Sequence, residues 1–72
     1  MNPKKQIKLS PEHNELYKIL KYNGLAQSGG EAKFAIAEGQ VKLNGEVETR
    51  KRKRIFTGDI IEFKNSTLEM ID

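Results

Sequence analysis

The sequence predicts a small α+β domain, with two packed helices against a mostly antiparallel, curved sheet of about four to five short strands. Three observations carry this. Apolar residues recur at helical spacing in two stretches, first Leu16, Ile19 and Leu20, then Ala32, Ala35 and Ile36. From Val41 onward the period changes to two. Between two of the alternating segments stands Asn44-Gly45, a strong hairpin signal, because a type I′ turn needs positive φ at both central residues.

Taken in order, residues 1–6 read as a flexible tail, and Ile7 and Leu9 alternate with polar neighbours as in a short edge strand. Ser10-Pro11-Glu12 is a helix start: the serine caps free N–H groups, and proline at the first helical position forfeits no bond. Asn23-Gly24 ends this helix. Ser28 and Glu31 have the capping-box spacing and open a second helix, which Gly39 stops. Val41 to Leu43 is a strand, Asn44-Gly45 turns, and Val47 opens a returning strand that runs into Arg50–Arg54. Thr57-Gly58-Asp59 is the next turn, with strands over 60–63 and 68–71 after it. Leu16, Ile19, Leu20, Ala32, Ile36, Val41, Leu43, Ile55 and Ile61 are expected in one core.

Composition narrows the function. The chain has 72 residues, one domain's worth, and at this size only about 60% of the unfolded surface is buried, which leaves little room for a water-excluding catalytic cleft. The absence of cysteine excludes disulfides and thiolate metal sites. One histidine makes zinc a poor fit, so no metal and no cofactor are expected. No apolar run approaches membrane-spanning length, and the lysine-rich start has no apolar segment behind it, so the sequence reads as a cytoplasmic, non-membrane, monomeric protein. His13 reads as an exposed residue of the first helical turn with no partner for acid–base work, and Asp59 as a turn residue; no catalytic residue is expected.

The net charge is +3, but its distribution says more: Arg50, Lys51, Arg52, Lys53 and Arg54 are five consecutive cations. As a strand they would send Arg50, Arg52 and Arg54 to one face and Lys51 and Lys53 to the other. Their mutual repulsion is relieved by a phosphate backbone, which also releases counterions. The bland alternative is a solvated edge strand that uses its charge against aggregation. Ser28-Gly29-Gly30 would leave helix N–H groups open to an anion, or is a plain capped turn. Lys18, Lys33 and Lys42 complete the candidate contacts. Phe34 lies toward the flank of its helix, where it either caps the core edge or stacks on a base.

Gly24-Leu25-Ala26, Ser28, Glu31-Ala32-Lys33, Ile36, Glu38 to Gly45, and Thr57 to Ile61 resemble the αL RNA-binding motif of the ribosomal protein S-four type. The likeness runs without gaps from about residue 15 to 63. Residues 35–41 and 47–52 are similar to the stand-alone bacterial proteins of the YbcJ type. The resemblance implies a fold of two packed helices and a curved sheet, with RNA gripped by the helices and the strand after the hairpin. Three positions depart from the family pattern: Glu15 and Gly29 stand where arginine is usual, and Tyr17 where aspartate is usual. The basic block is longer than the family's, so affinity is expected to concentrate at Arg50–Arg54. The combined expectation is a binding protein for structured RNA, ribosomal or transfer RNA by family analogy, without catalysis. The alternative is an adaptor that docks the same cations on an acidic protein or a ribonucleoprotein.

Overall fold

The computed structural model describes residues 4–72. Strand β1 is Lys4–Lys8, helix α1 is Leu16–Tyr22, and helix α2 is Gly29–Ala37. Strands β2 (Val41–Leu43), β3 (Glu46–Val47), β4 (Ile60–Phe63) and β5 (Ser66–Ile71) follow. They form one five-stranded open sheet in the order β1-β5-β4-β2-β3, antiparallel except for the parallel pair β1–β5. The α+β architecture is as predicted.

Alternation on the central strands builds the floor of the core. Ile61 and Phe63 of β4 are buried, as are Leu68 and Met70 of β5 and Val41 of β2. Register makes them neighbours: Ile61 lies opposite Leu68, and Val41 opposite Phe63. Leu16, Ile19 and Leu20 of α1 and Ala32, Ala35 and Ile36 of α2 join them in one apolar cluster, together with Ile55. Leu43, expected in the core, is half-buried at its edge, because β3 beside it is only two residues long.

Both helices stop by the same device. Leu25 N–H donates to the Leu20 carbonyl and Gly24 N–H to Lys21; Gln40 and Gly39 repeat the pattern on Ala35 and Ile36. These are Schellman motifs with glycine in the left-handed conformation. At the hairpin Asn44 and Gly45 have φ of 53° and 85°, as a type I′ turn requires. Asn44 also ties the hairpin tip to the next turn: its side chain donates to Asp59 Oδ1 at 3.0 Å and accepts from Ile60 N–H at 2.9 Å.

Four expectations need correction. Helix α1 begins at Leu16, not near Ser10; Ser10 Oγ accepts only from Glu12 N–H and caps an isolated turn. His13 therefore lies outside any helix and is half-buried, its ring 4.1 Å from that of Tyr22. Lys4, Lys5 and Gln6, read as tail, pair in β1 with Thr67, Leu68 and Glu69; residues 1–3 lie outside the described residues. The basic block is not a strand: β3 ends at Val47, and only Arg54 makes an isolated bridge, to Glu15.

Candidate functional site

The basic block is a turn docked on the N-terminus of α1. Glu15, at the cap position, makes no side-chain capping bond. Backbone carbonyls from far along the chain take its place: Leu16 N–H donates to Lys53 O at 2.9 Å and Tyr17 N–H to Lys51 O at 3.0 Å. Lys53 N–H closes the turn on Arg50 O, and Ile55 N–H donates to Asn14 O at 2.8 Å. Ile55, fully buried, anchors the downstream end in the core. Orphan N–H groups of a helix start must find acceptors, and here that requirement orders the cationic segment. The backbone of the cationic turn is thereby held against the start of α1, and the side chains of Lys51, Arg52 and Arg54 stand exposed there.

This geometry brings together residues from three elements. The Tyr17 ring of α1 has Lys33 Nζ of α2 at 4.7 Å from its centroid, the Arg52 guanidinium of the turn at 5.8 Å, and Lys18 Nζ at 5.9 Å. Lys18 also pairs with Glu15 at 3.4 Å. Among the described residues, Lys33, Lys51, Arg52, Lys53 and Arg54 form no ion pair. Gly29 borders the same ring; a Cβ there would lie 3.8 Å from Tyr17 Cε2, so the start of α2 sits against the cluster. Ser28 Oγ accepts from Glu31 N–H at 3.1 Å and caps α2, while Gly30 is exposed.

Several expected contacts stand elsewhere. Arg50 is committed to Glu48: its Nε donates to Oε2 at 2.9 Å, its Nη2 to Oε1 at 3.1 Å, and its backbone N–H to Oε2 at 3.0 Å. The Arg50 hydrogen bonds hold the Glu48 carboxyl below its ordinary pKa, and Glu48 raises that of Arg50. The division of the block into an arginine face and a lysine face fails, because a turn has no two-residue alternation. Lys42 follows Val41, which faces the core, so it projects from the other face of the sheet, opposite Glu62. Phe34 is 64% exposed and caps no core edge.

Sequence reasoning missed Tyr17. It lies one step outside the apolar stripe of α1, and its cation partners are remote in sequence, so periodicity carries no signal for it. The sole hint was its departure from the family pattern. A second feature is separate from the cations. A cleft of about 150 Å³, between β1, β5 and α1, is lined by Ile7, Leu9, His13, Ile19, Tyr22 and Met70 among others. His13 Nδ1 is buried there and hydrogen-bonds no protein group among the described residues. No helix among the described residues is long and apolar enough to cross a membrane.

The model of the S4 domain matches residues 7–71. The chain belongs to the S4 domain family. It is 48% identical over 59 residues to YbcJ of Escherichia coli K12, provisionally named an RNA-binding protein, covering 82% of this chain and 84% of YbcJ. It is 33% identical over 58 residues to RlbA of Bacillus subtilis strain 168, provisionally named a ribosome maturation protein, covering 81% and 82%. The solution structure of E. coli YbcJ, described as revealing an αL motif involved in RNA binding, superposes with a TM-score of 0.66 at 42% identity, covering 96% of this chain and 86% of that one. The S4-domain chain shares with that structure the αL arrangement of two helices against the sheet.

Proposed function

We propose that this S4-domain protein binds structured RNA, without catalysis, through the surface where α1, α2 and the basic turn meet. The observation that carries the reading is the convergence of Lys33 and Arg52 on Tyr17, next to Lys51, Lys53 and Arg54, with no carboxylate among the described residues paired to any of the five. Cations free of ion pairs among the described residues, four of them on a turn whose backbone is clamped by hydrogen bonds, concentrate charge on one surface, which suits the phosphate array of a folded RNA. Lys18 and the Ser28-Gly29-Gly30 corner border this surface, and Arg50 extends it while held by Glu48. The name of YbcJ supports RNA as the ligand, and that of RlbA favours ribosomal over transfer RNA; the cytoplasm is the place of action that goes with this reading.

The test is a binding titration against a structured RNA at two salt concentrations. Each phosphate contact adds roughly 0.9 to the slope of log K against log salt, so replacing both Lys33 and Arg52 by glutamine should weaken binding and lower the slope by about 2. Equal affinities and slopes for the double variant and the wild type would reject this surface as the RNA interface.

A further inference from the structure

We infer that Tyr17 is a positioning residue of this surface: its ring gathers Lys33 and Arg52 into one phosphate-binding seat without cancelling their charge. The inference rests on the reading of the surface as an RNA interface.

The argument begins with what brings long cationic side chains together. Lys33 and Arg52 belong to different elements and carry the same sign, so they repel, and neither has a carboxylate partner among the described residues. Both nonetheless lie within 5.8 Å of one ring centroid. The negative face of an aromatic ring attracts cations through its quadrupole and carries no net charge. A carboxylate at this position would draw the same side chains in and neutralise them, leaving less for a phosphate. The ring leaves the full charge for the ligand.

The backbone that carries the ring is tied to the turn. Tyr17 N–H donates to the Lys51 carbonyl, at the tip of the turn that also carries Arg52. Its other side abuts Gly29, where a Cβ would come to 3.8 Å. A half-buried ring between turn and helix offers its face to cations from both elements. Ordering a lysine and an arginine costs conformational entropy when a ligand binds. Side chains already gathered on a ring lose less of it at that moment. The Tyr17 hydroxyl has no hydrogen-bond partner among the described residues, so the role belongs to the ring.

The experiment compares wild type with Tyr17→Phe, Tyr17→Leu and Tyr17→Asp, each checked for folding, against a synthetic RNA hairpin over a range of salt. Tyr17→Phe keeps the ring and should bind like wild type. Tyr17→Leu should bind about three- to tenfold more weakly at every salt concentration, the size of a cation–π contribution, with an unchanged salt slope, because the cations remain but are no longer held. Tyr17→Asp should flatten the slope, since it cancels charge. Wild-type affinity for Tyr17→Leu overturns the inference. So does a loss in Tyr17→Phe equal to that in Tyr17→Leu, which would assign the role to the hydroxyl. A second measurement reads the free protein: the Lys33 ε-methylene protons should lie further upfield in wild type than in Tyr17→Leu, and equal shifts also overturn the inference. If the wild type binds the hairpin without salt dependence while that upfield difference is present, the RNA-interface reading has failed and the positioning role falls with it.

Discussion

The two helix N-termini of this protein are completed in opposite ways. Helix α2 is capped locally: Ser28 sits at the cap and accepts from Glu31 N–H three residues on. Helix α1 has a glutamate at its cap that makes no capping bond, and its first N–H groups are taken by the carbonyls of Lys53 and Lys51. A local cap stabilises its helix and little else. A remote cap couples the helix to whatever segment supplies it, and here that segment is the most cationic in the chain. The same bonds that finish α1 give the basic turn its shape.

The largest test of this contrast is Ile55→Ala. Ile55 anchors the downstream end of the turn in the core, and truncating a buried isoleucine costs about 2–5 kcal/mol. Denaturant unfolding should show that loss. Amide exchange at Leu16 and Tyr17 should accelerate more than exchange at Glu31, because only α1 depends on the turn. Equal acceleration at both helix starts would mean that the turn and α1 are not specially coupled. Ser28→Ala comes next, at about 1 kcal/mol of stability. Its effect should stay in α2 and leave exchange at Leu16 unchanged.

The contrast also explains what was legible in the sequence. Ser28, Gly24, Gly39 and Asn44-Gly45 act through bonds to near neighbours, each as its residue type predicts, while the Glu31 carboxylate makes no return bond to Ser28 N–H, so only the serine half of the capping box forms. The core was legible for the same reason, since periodicity is a local signal; only Leu43 fell short of burial, at the narrow end of the sheet. The start of α1 was misplaced because Ser10-Pro11 is a good local start signal, while the actual one is supplied from about 35 residues away. Five like residues carry no alternation from which strand and turn can be told apart, so the basic block shows its charge in the sequence but not its geometry, which comes from Ile55 and from the helix it caps. Tyr17 could not be found, because its partners Lys33 and Arg52 meet it only in the folded chain.

Within the turn the contrast becomes one between two arginines. Arg52 has no carboxylate partner among the described residues and lies over Tyr17, whereas Arg50 is held by Glu48 although its side chain is 70% exposed. Replacing Arg52 by glutamine should lower the salt slope of RNA binding by about 1, the share of one phosphate contact. Arg50→Gln should lower it by less, because a guanidinium already bonded to a carboxylate offers a phosphate fewer free donors. Parallel titrations of the two variants decide this, and a larger loss for Arg50→Gln would reverse the assignment.

The smallest expected effect belongs to Glu48, whose side chain is only 12% exposed. Its pKa is lowered, first by the hydrogen bond from the Arg50 side chain, with burial opposing and the Arg50 backbone N–H and the charges of Arg50 and Lys53 assisting. A carboxyl with a lowered folded-state pKa contributes stability that is fully present above its ordinary value and is lost as pH falls through the lowered one. Glu48→Gln should therefore be less stable than wild type at neutral pH. The difference in urea midpoint should shrink on acidification and disappear once both proteins carry a neutral side chain at this position. A difference that is independent of pH would place the effect in packing and not in charge. The same variant should act oppositely on binding. It removes one negative charge and frees the Arg50 guanidinium, so RNA affinity should rise slightly and the salt slope steepen. Glu48 would then stabilise the turn at the cost of holding one arginine back from the ligand, and a drop in affinity for a folded Glu48→Gln would show that Arg50 must be fixed by Glu48 in order to bind.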